Sequence, residues 1–156
     1  MERDCGAWIN LLSRMVRRRL NATLQGLGIT AIQSRVIFYI LEHSPNQPVY
    51  QRDIESAFRL SRSTATGILQ QLERKGILLR ESVEQDARLK SLVPTARAVE
   101  LNEQVRACLR QIEALLTQGL SEGQVRLFIE TAAAMARNLE AEECAAHPGE
   151  AENKFG

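Results

Sequence analysis

The stretch Gln51–Gly76, QRDIESAFRLSRSTATGILQQLERKG, constrains the fold more tightly than any other part of the chain. Its first part, Gln51–Phe58, puts Ile54, Ala57 and Phe58 on one side of a short helix. Its second part, Arg62–Lys75, puts Ala65, Ile68, Leu69 and Leu72 at the i, i+3, i+4, i+7 spacing of one buried helical face. Three residues separate the two, and the last of them, Ser61, stands where an N-cap belongs. Gly76 follows the final Lys as a C′ glycine. Two helices joined by so short a turn make a helix-turn-helix.

Helical period continues on both sides. Over 7–27, Trp8, Leu11, Leu12, Met15 and Leu20 form one stripe, closed by Gly26 and Gly28. Thr30 and Gln33 make a capping box for a helix to about Glu42, with Ile32, Val36, Ile37, Ile40 and Leu41 apolar. Ser44–Pro48 holds two prolines and reads as a loop. Ile77–Glu81 and Ser91–Val93 are short apolar runs around polar Ser82–Lys90, the pattern of a small antiparallel hairpin with a long charged tip. Pro94 ends it, and Thr95 is the expected cap of a helix to about Gln118, with Leu101, Val105, Cys108, Ile112 and Leu115 on one side. Gly119 breaks that helix, and Ser121 with Gln124 makes a second capping box for a last helix to about Glu143. The residues from His147 are rich in Pro, Gly, Glu and Asn and read as disordered. The expected architecture is mainly α. A winged helix-turn-helix lobe (29–95) with a small β-hairpin wing is flanked by a long N-terminal helix (1–28) and C-terminal helices (96–143), with a tail at 144–156.

Composition narrows the function. Lys and Arg number 20 against 19 Asp and Glu, a net charge of +1, which excludes a highly basic nucleic-acid-binding tail but not a local basic patch. Aromatic residues are 4%, too few for single-strand stacking platforms. Cys5, Cys108 and Cys144 have neither zinc nor CxxC spacing, which fits a reduced, cytoplasmic setting. His43 and His147 are the only histidines, with no ligand cluster around either. No metal site, cofactor or catalytic arrangement can be drawn from them, so an enzyme is not expected. No apolar run approaches the length of a membrane span.

The outward side of Arg62–Lys75 carries the chemistry. Ser63, Thr66 and Gln70 share one face, with Arg62 and Thr64 beside them and no acid before Glu73. Such a surface is short-chained, rich in donors and acceptors, and neutral or basic, as a DNA major groove requires. The helix N-terminus adds backbone N–H groups and a positive dipole end suited to phosphate. The competing reading leaves these hydroxyls as caps and solvated residues, and for Ser61 taken alone the cap is the better reading. At the hairpin tip, Arg88 is the candidate for a narrow minor groove. Lys90 is the candidate for a phosphate contact, and Asp86 the brace for the Arg88 guanidinium. A solvated turn is the alternative there.

Ser61–Thr66 (SRSTAT), Leu72–Ile77 (LERKGI), the wing pattern Asp86-x-Arg88-x-Lys90 and Pro94-Thr95 together resemble the MarR family of winged helix-turn-helix transcriptional regulators, over nearly the whole chain apart from the tail. The resemblance implies a homodimer with intertwined terminal helices, each lobe reading one half of a pseudo-palindrome in double-stranded DNA. It implies that Ser61, Arg62, Ser63, Thr64, Thr66 and Gln70 lie on the recognition helix and its cap, and Arg88 at the wing tip with Asp86 as ion-pair partner and Lys90 on the backbone. Members of the family often release DNA when a small aromatic effector enters a crevice, which helix order would put near Met15, Arg19, Phe38 and Tyr39; ordinary core packing is the alternative reading of each of these residues, and no ligand site is assigned to them. The chain departs from the family pattern at Ala87 and Ala98, and Arg80–Lys90 carries no net charge.

A dimer follows from the residues as well. Trp8, Leu11, Leu12, Leu109, Leu116, Phe128, Ile129, Met135 and Leu139 exceed what a small lobe can cover, and a two-fold partner is the usual remedy. The alternative is an intrachain bundle. A repressor is the expected function. Two others remain, a winged-helix protein-interaction module, favoured by the neutral wing, and a small-molecule-binding protein without DNA. A redox role for Cys5 near the first helix is a lesser expectation.

Overall fold

The computed structural model describes the backbone over 4–83 and 86–146 and the side chains over 4–82 and 90–142. Six helices and one hairpin lie among these residues: α1 (Cys5–Gly26), α2 (Ala31–His43), α3 (Gln51–Phe58), α4 (Arg62–Arg74), β1 (Leu78–Val83), β2 (Asp86–Pro94), α5 (Ala96–Thr117) and α6 (Glu122–Ala146). The chain forms two compact units, 1–112 and 113–156.

The core of the first unit is drawn from every one of its elements. Leu24 of α1, Val36, Ile37 and Ile40 of α2, Ile54 of α3, and Leu69 and Leu72 of α4 meet Leu78 and Leu92 of the hairpin and Ala98, Leu101 and Val105 of α5. The first three turns of α5 therefore complete the core of the lobe. On the same side of α5, buried Cys108 meets α1, its Sγ 3.1 Å from Thr23 Oγ1.

Local chemistry sets the helix boundaries. Asp4 caps α1, its carboxylate accepting from Ala7 N–H at 2.7 Å. Thr30 and Gln33 form the expected capping box on α2, and Ser121 and Gln124 form theirs on α6. Ser61 caps α4 by accepting from Thr64 N–H at 3.2 Å. Gly76 stands at φ +66°, the left-handed conformation that ends α4 without steric cost. The turn between α3 and α4 reaches the same region through Arg59, at φ 50°, where a side chain is tolerated at some strain.

β1 and β2 pair antiparallel with Leu78 opposite Pro94, Leu79 opposite Val93 and Ser82 opposite Lys90. A bridge between Tyr50 and Ser91, with Leu92 N–H donating to Val49 O at 2.7 Å, ties the start of α3 to the hairpin base.

Four expectations are corrected. The strands extend through most of Ser82–Lys90, the stretch expected to be a long tip, because strand pairing uses backbone groups and charged side chains do not prevent it. Ala57 is exposed at the end of α3, leaving buried Ile54 and half-buried Phe58 to meet the core. Leu115 is exposed rather than on the buried side of α5. Thr95 does not cap α5 with its hydroxyl, which lies 2.8 Å from Gly76 O and 3.0 Å from Ile77 O and donates toward them across the hairpin base. The tail read as disordered falls outside the described residues from 147 onward, and 144–146 continue α6.

In the second unit, no described residue of the 25-residue α6 is buried. Leu127, Phe128, Ile129 and Leu139 are all exposed along it. Among the described residues no single helix is long and apolar enough to cross a membrane.

Candidate nucleic-acid interface

α4 is amphipathic in the sense its sequence dictates. Ala65, Leu69 and Leu72 are fully buried, and Ile68 packs against the core from its edge. The opposite side carries Ser63, Gly67, Gln70 and Arg74 at i, i+4, i+7 and i+11, the spacing of one helical face. Ser63, Gln70 and Arg74 are exposed.

The N-terminus of α4 is a cluster of exposed hydroxyls. Ser61 Oγ lies 2.8 Å from Thr64 Oγ1 and 3.1 Å from Ser63 Oγ. Arg62 is exposed beside them, and Arg59 precedes them in the turn. Hydroxyl donors, two guanidinium groups and the positive end of a helix dipole thus share one end of the helix, without a carboxylate among residues 59–72.

Thr66 differs from the other hydroxyl residues. It is half-buried, its Oγ1 donates to Arg62 O at 2.8 Å, and the same oxygen accepts from Gln51 Nε2 at 2.9 Å. Gln51 also donates to Glu55 Oε1 at 2.9 Å, so it belongs to α3 and α4 together. The hydroxyl of Thr66 is therefore engaged in joining the two helices, while Ser63, Thr64 and Gln70 are exposed to a partner and Ser61, also exposed, is engaged as the cap of α4.

The other end of α4 is held by a polar cluster that sequence reasoning missed. Gln33 is buried. Its Nε2 donates to Gln71 Oε1 at 2.7 Å, and its Oε1 accepts from Thr30 N–H at 3.1 Å and from Lys75 Nζ at 3.2 Å. Lys75 Nζ also donates to Gly28 O at 2.6 Å. The α1–α2 turn, the start of α2 and the end of α4 are thus joined through three side chains. A second tie runs to the wing, where Arg80 Nε donates to Glu73 Oε2 at 3.0 Å.

Of the wing residues, Lys90 is exposed and its Nζ donates to Ser82 Oγ on the facing strand. Asp86 and Arg88 lie on β2, and their side chains, with the ion pair expected between them, are outside the described residues. Among the described residues no group of three or more His, Cys, Asp or Glu is placed to hold a metal.

The expected dimer residues are placed as follows. Trp8, Leu109, Leu116, Phe128, Ile129 and Leu139 are exposed, and Leu11, Leu12 and Met135 are half-buried.

Comparison with known proteins agrees with this geometry. Residues 27–89, spanning α2 to the wing, match the model of the MarR family. A mutant of MepR from Staphylococcus aureus bound to an oligodeoxyribonucleotide is 25% identical over 88% of this chain and 99% of its own, with a TM-score of 0.73. The MepR–DNA complex is 25% identical over 83% of this chain and 96% of its own, also at 0.73. MepR described as a transcription regulator of a multidrug efflux pump is 23% identical over 88% of this chain and 99% of its own, at 0.78.

Proposed function

We propose that this chain, a winged helix-turn-helix protein of the MarR family and a DNA-binding transcriptional regulator, works as a homodimeric repressor of a pseudo-palindromic operator. The observation that carries the reading is the outward strip of α4, where Ser61, Arg62, Ser63, Thr64 and Gln70 stand exposed on a helix whose other side is fully buried. Among its relatives, MepR has been solved bound to DNA.

Each residue has a distinct role on this reading. The Ser61–Thr64 hydroxyls and the α4 N-terminus meet phosphate, because N–H groups and a positive dipole end favour an anion. Gln70 pairs a base edge in the major groove, where a carboxamide suits adenine. Arg62 adds a charge contact. Thr66 acts indirectly, its hydroxyl holding α4 to Gln51 of α3 rather than meeting the DNA. Arg88 enters the minor groove with Asp86 bracing it, and Lys90 neutralises a phosphate. The exposed leucines, Phe128 and Ile129 are covered by a second copy of the chain. A small aromatic effector releases the DNA.

Binding should then be strongly salt-dependent, because each neutralised phosphate releases counterions. Arg88→Ala should weaken a selected duplex by about tenfold or more and flatten the salt slope by about two units, one for each wing of the dimer. Gln70→Ala should leave that slope unchanged and relax the preference at one base pair per half-site. Fluorescence anisotropy across a salt series checks both. An Arg88→Ala protein with wild-type affinity and slope would remove the wing from the interface. Added small aromatic compounds that fail to displace the duplex would remove the effector.

A further inference from the structure

Neither the backbone conformation nor the packing of the free chain gives a reason for glycine at position 67 of α4. A glycine inside a helix weakens it relative to alanine. The backbone does not call for one, since Gly67 is absent from the described glycines with positive φ, which are Gly28, Gly76 and Gly119. Packing does not call for one either, because a methyl group placed there would meet nothing within 4 Å. Yet Gly67 sits at the centre of the outward face, with Ser63 one turn before it and Gln70 and Arg74 after it. The missing side chain is at the middle of the strip that the proposed function places in the major groove.

We infer that Gly67 is a point of close approach, where the bare backbone of α4 seats against the base edges of duplex DNA. This inference rests on the DNA-binding reading and says how deeply the helix enters. A methyl group at Gly67 would hold the helix away from the groove floor. The contacts of Ser63 and Gln70 would then lengthen together, and hydrogen bonds weaken steeply once stretched. Gly67 is thus a determinant of specificity that makes no hydrogen bond through a side chain.

The test uses the full chain carrying Gly67→Ala or Gly67→Leu, followed by thermal unfolding and by binding to a selected duplex and to a random-sequence duplex of equal length. Gly67→Ala should raise the Tm by about 2–4 °C, the return of normal helix propensity in a chain of this size. It should nevertheless weaken the selected duplex by about tenfold or more, the scale of one lost base contact, and leave the random duplex nearly unchanged. Gly67→Leu should weaken the selected duplex further. A helix that merely needs glycine for its own fold would show the opposite, a lowered Tm, and that result would overturn the inference. Unchanged affinity of both variants for the selected duplex would overturn it too. Failure of the wild type to bind either duplex would remove the DNA-binding reading and the inference with it, a result distinct from intact wild-type binding with indifferent variants.

Discussion

Phe128→Glu combined with Leu139→Glu is expected to leave the chain monomeric and to lower its affinity for a two-half-site duplex by at least about 100-fold, the loss expected when paired binding becomes single. The two residues are eleven positions apart on α6, three turns along one face, and are 61% and 69% exposed in the single chain. Leu127 and Ile129 beside Phe128 are 64% and 58% exposed. A helix carrying such side chains uncovered is held mainly by its own hydrogen bonds, which seldom suffice without tertiary packing. A specific partner surface covers about 800 Å² on each side, and the apolar face of α6 is the natural contributor. Surface substitutions usually change stability by less than about 0.5 kcal/mol. If no partner covers these positions, the double variant should melt where the wild type does. If a second copy covers them, the wild-type Tm should rise with protein concentration and that of the variant should not. Sedimentation velocity decides the matter. A monomeric wild type, or a variant that still sediments as a dimer, would contradict the account.

Gln33→Leu is expected to destabilise the lobe by about 2–3 kcal/mol, although leucine fits the volume and is more apolar. Gln33 is 1% exposed, and its carboxamide satisfies Thr30 N–H, Lys75 Nζ and Gln71 Oε1 at once. Leucine would open half of the α2 capping box and leave the Thr30 amide and the Gln71 carbonyl without their partner. In a chain of this size that is a fall in Tm of about 5–10 °C. Lys75→Met should cost less, because Lys75 is exposed and Gln33 would keep its other bonds. Differential scanning calorimetry of the two variants checks the ranking. A Gln33→Leu protein melting within about 1 °C of wild type would show that the cluster contributes no net stability.

Features set by residues within one turn of each other were legible in the sequence. The capping boxes at Thr30 and Ser121, the Ser61 cap and the Gly76 terminator involve partners no more than four positions apart, and all four are observed. The buried stripe of α4 was legible for the same reason, since helical spacing alone selects Ala65, Leu69 and Leu72. What escaped depends on distant partners. The Thr95 hydroxyl goes to carbonyls 18 and 19 positions earlier, and Gln33 meets residues 38 and 42 positions later. Nothing local marks such pairs. The extent of the hairpin escaped because its outer part, Ser82–Lys90, is mostly polar in sequence and shows no sustained alternation of apolar and polar residues. Within the candidate site, Ser63 and Gln70 were found as outward residues, while the ties that Thr66 makes to Gln51 could be found only once α3 and α4 were placed together.

The central claim is that the exposed strip of α4 is presented twice, by two copies of the chain, to one face of a double helix. Selection of bound duplexes from a fully random pool tests it most directly. The account predicts enrichment of a pseudo-palindrome whose half-sites lie about 10 bp apart centre to centre, and its loss when Ser63 and Gln70 are replaced by alanine. Enrichment of a single asymmetric site, or no enrichment at all at low salt, would contradict it.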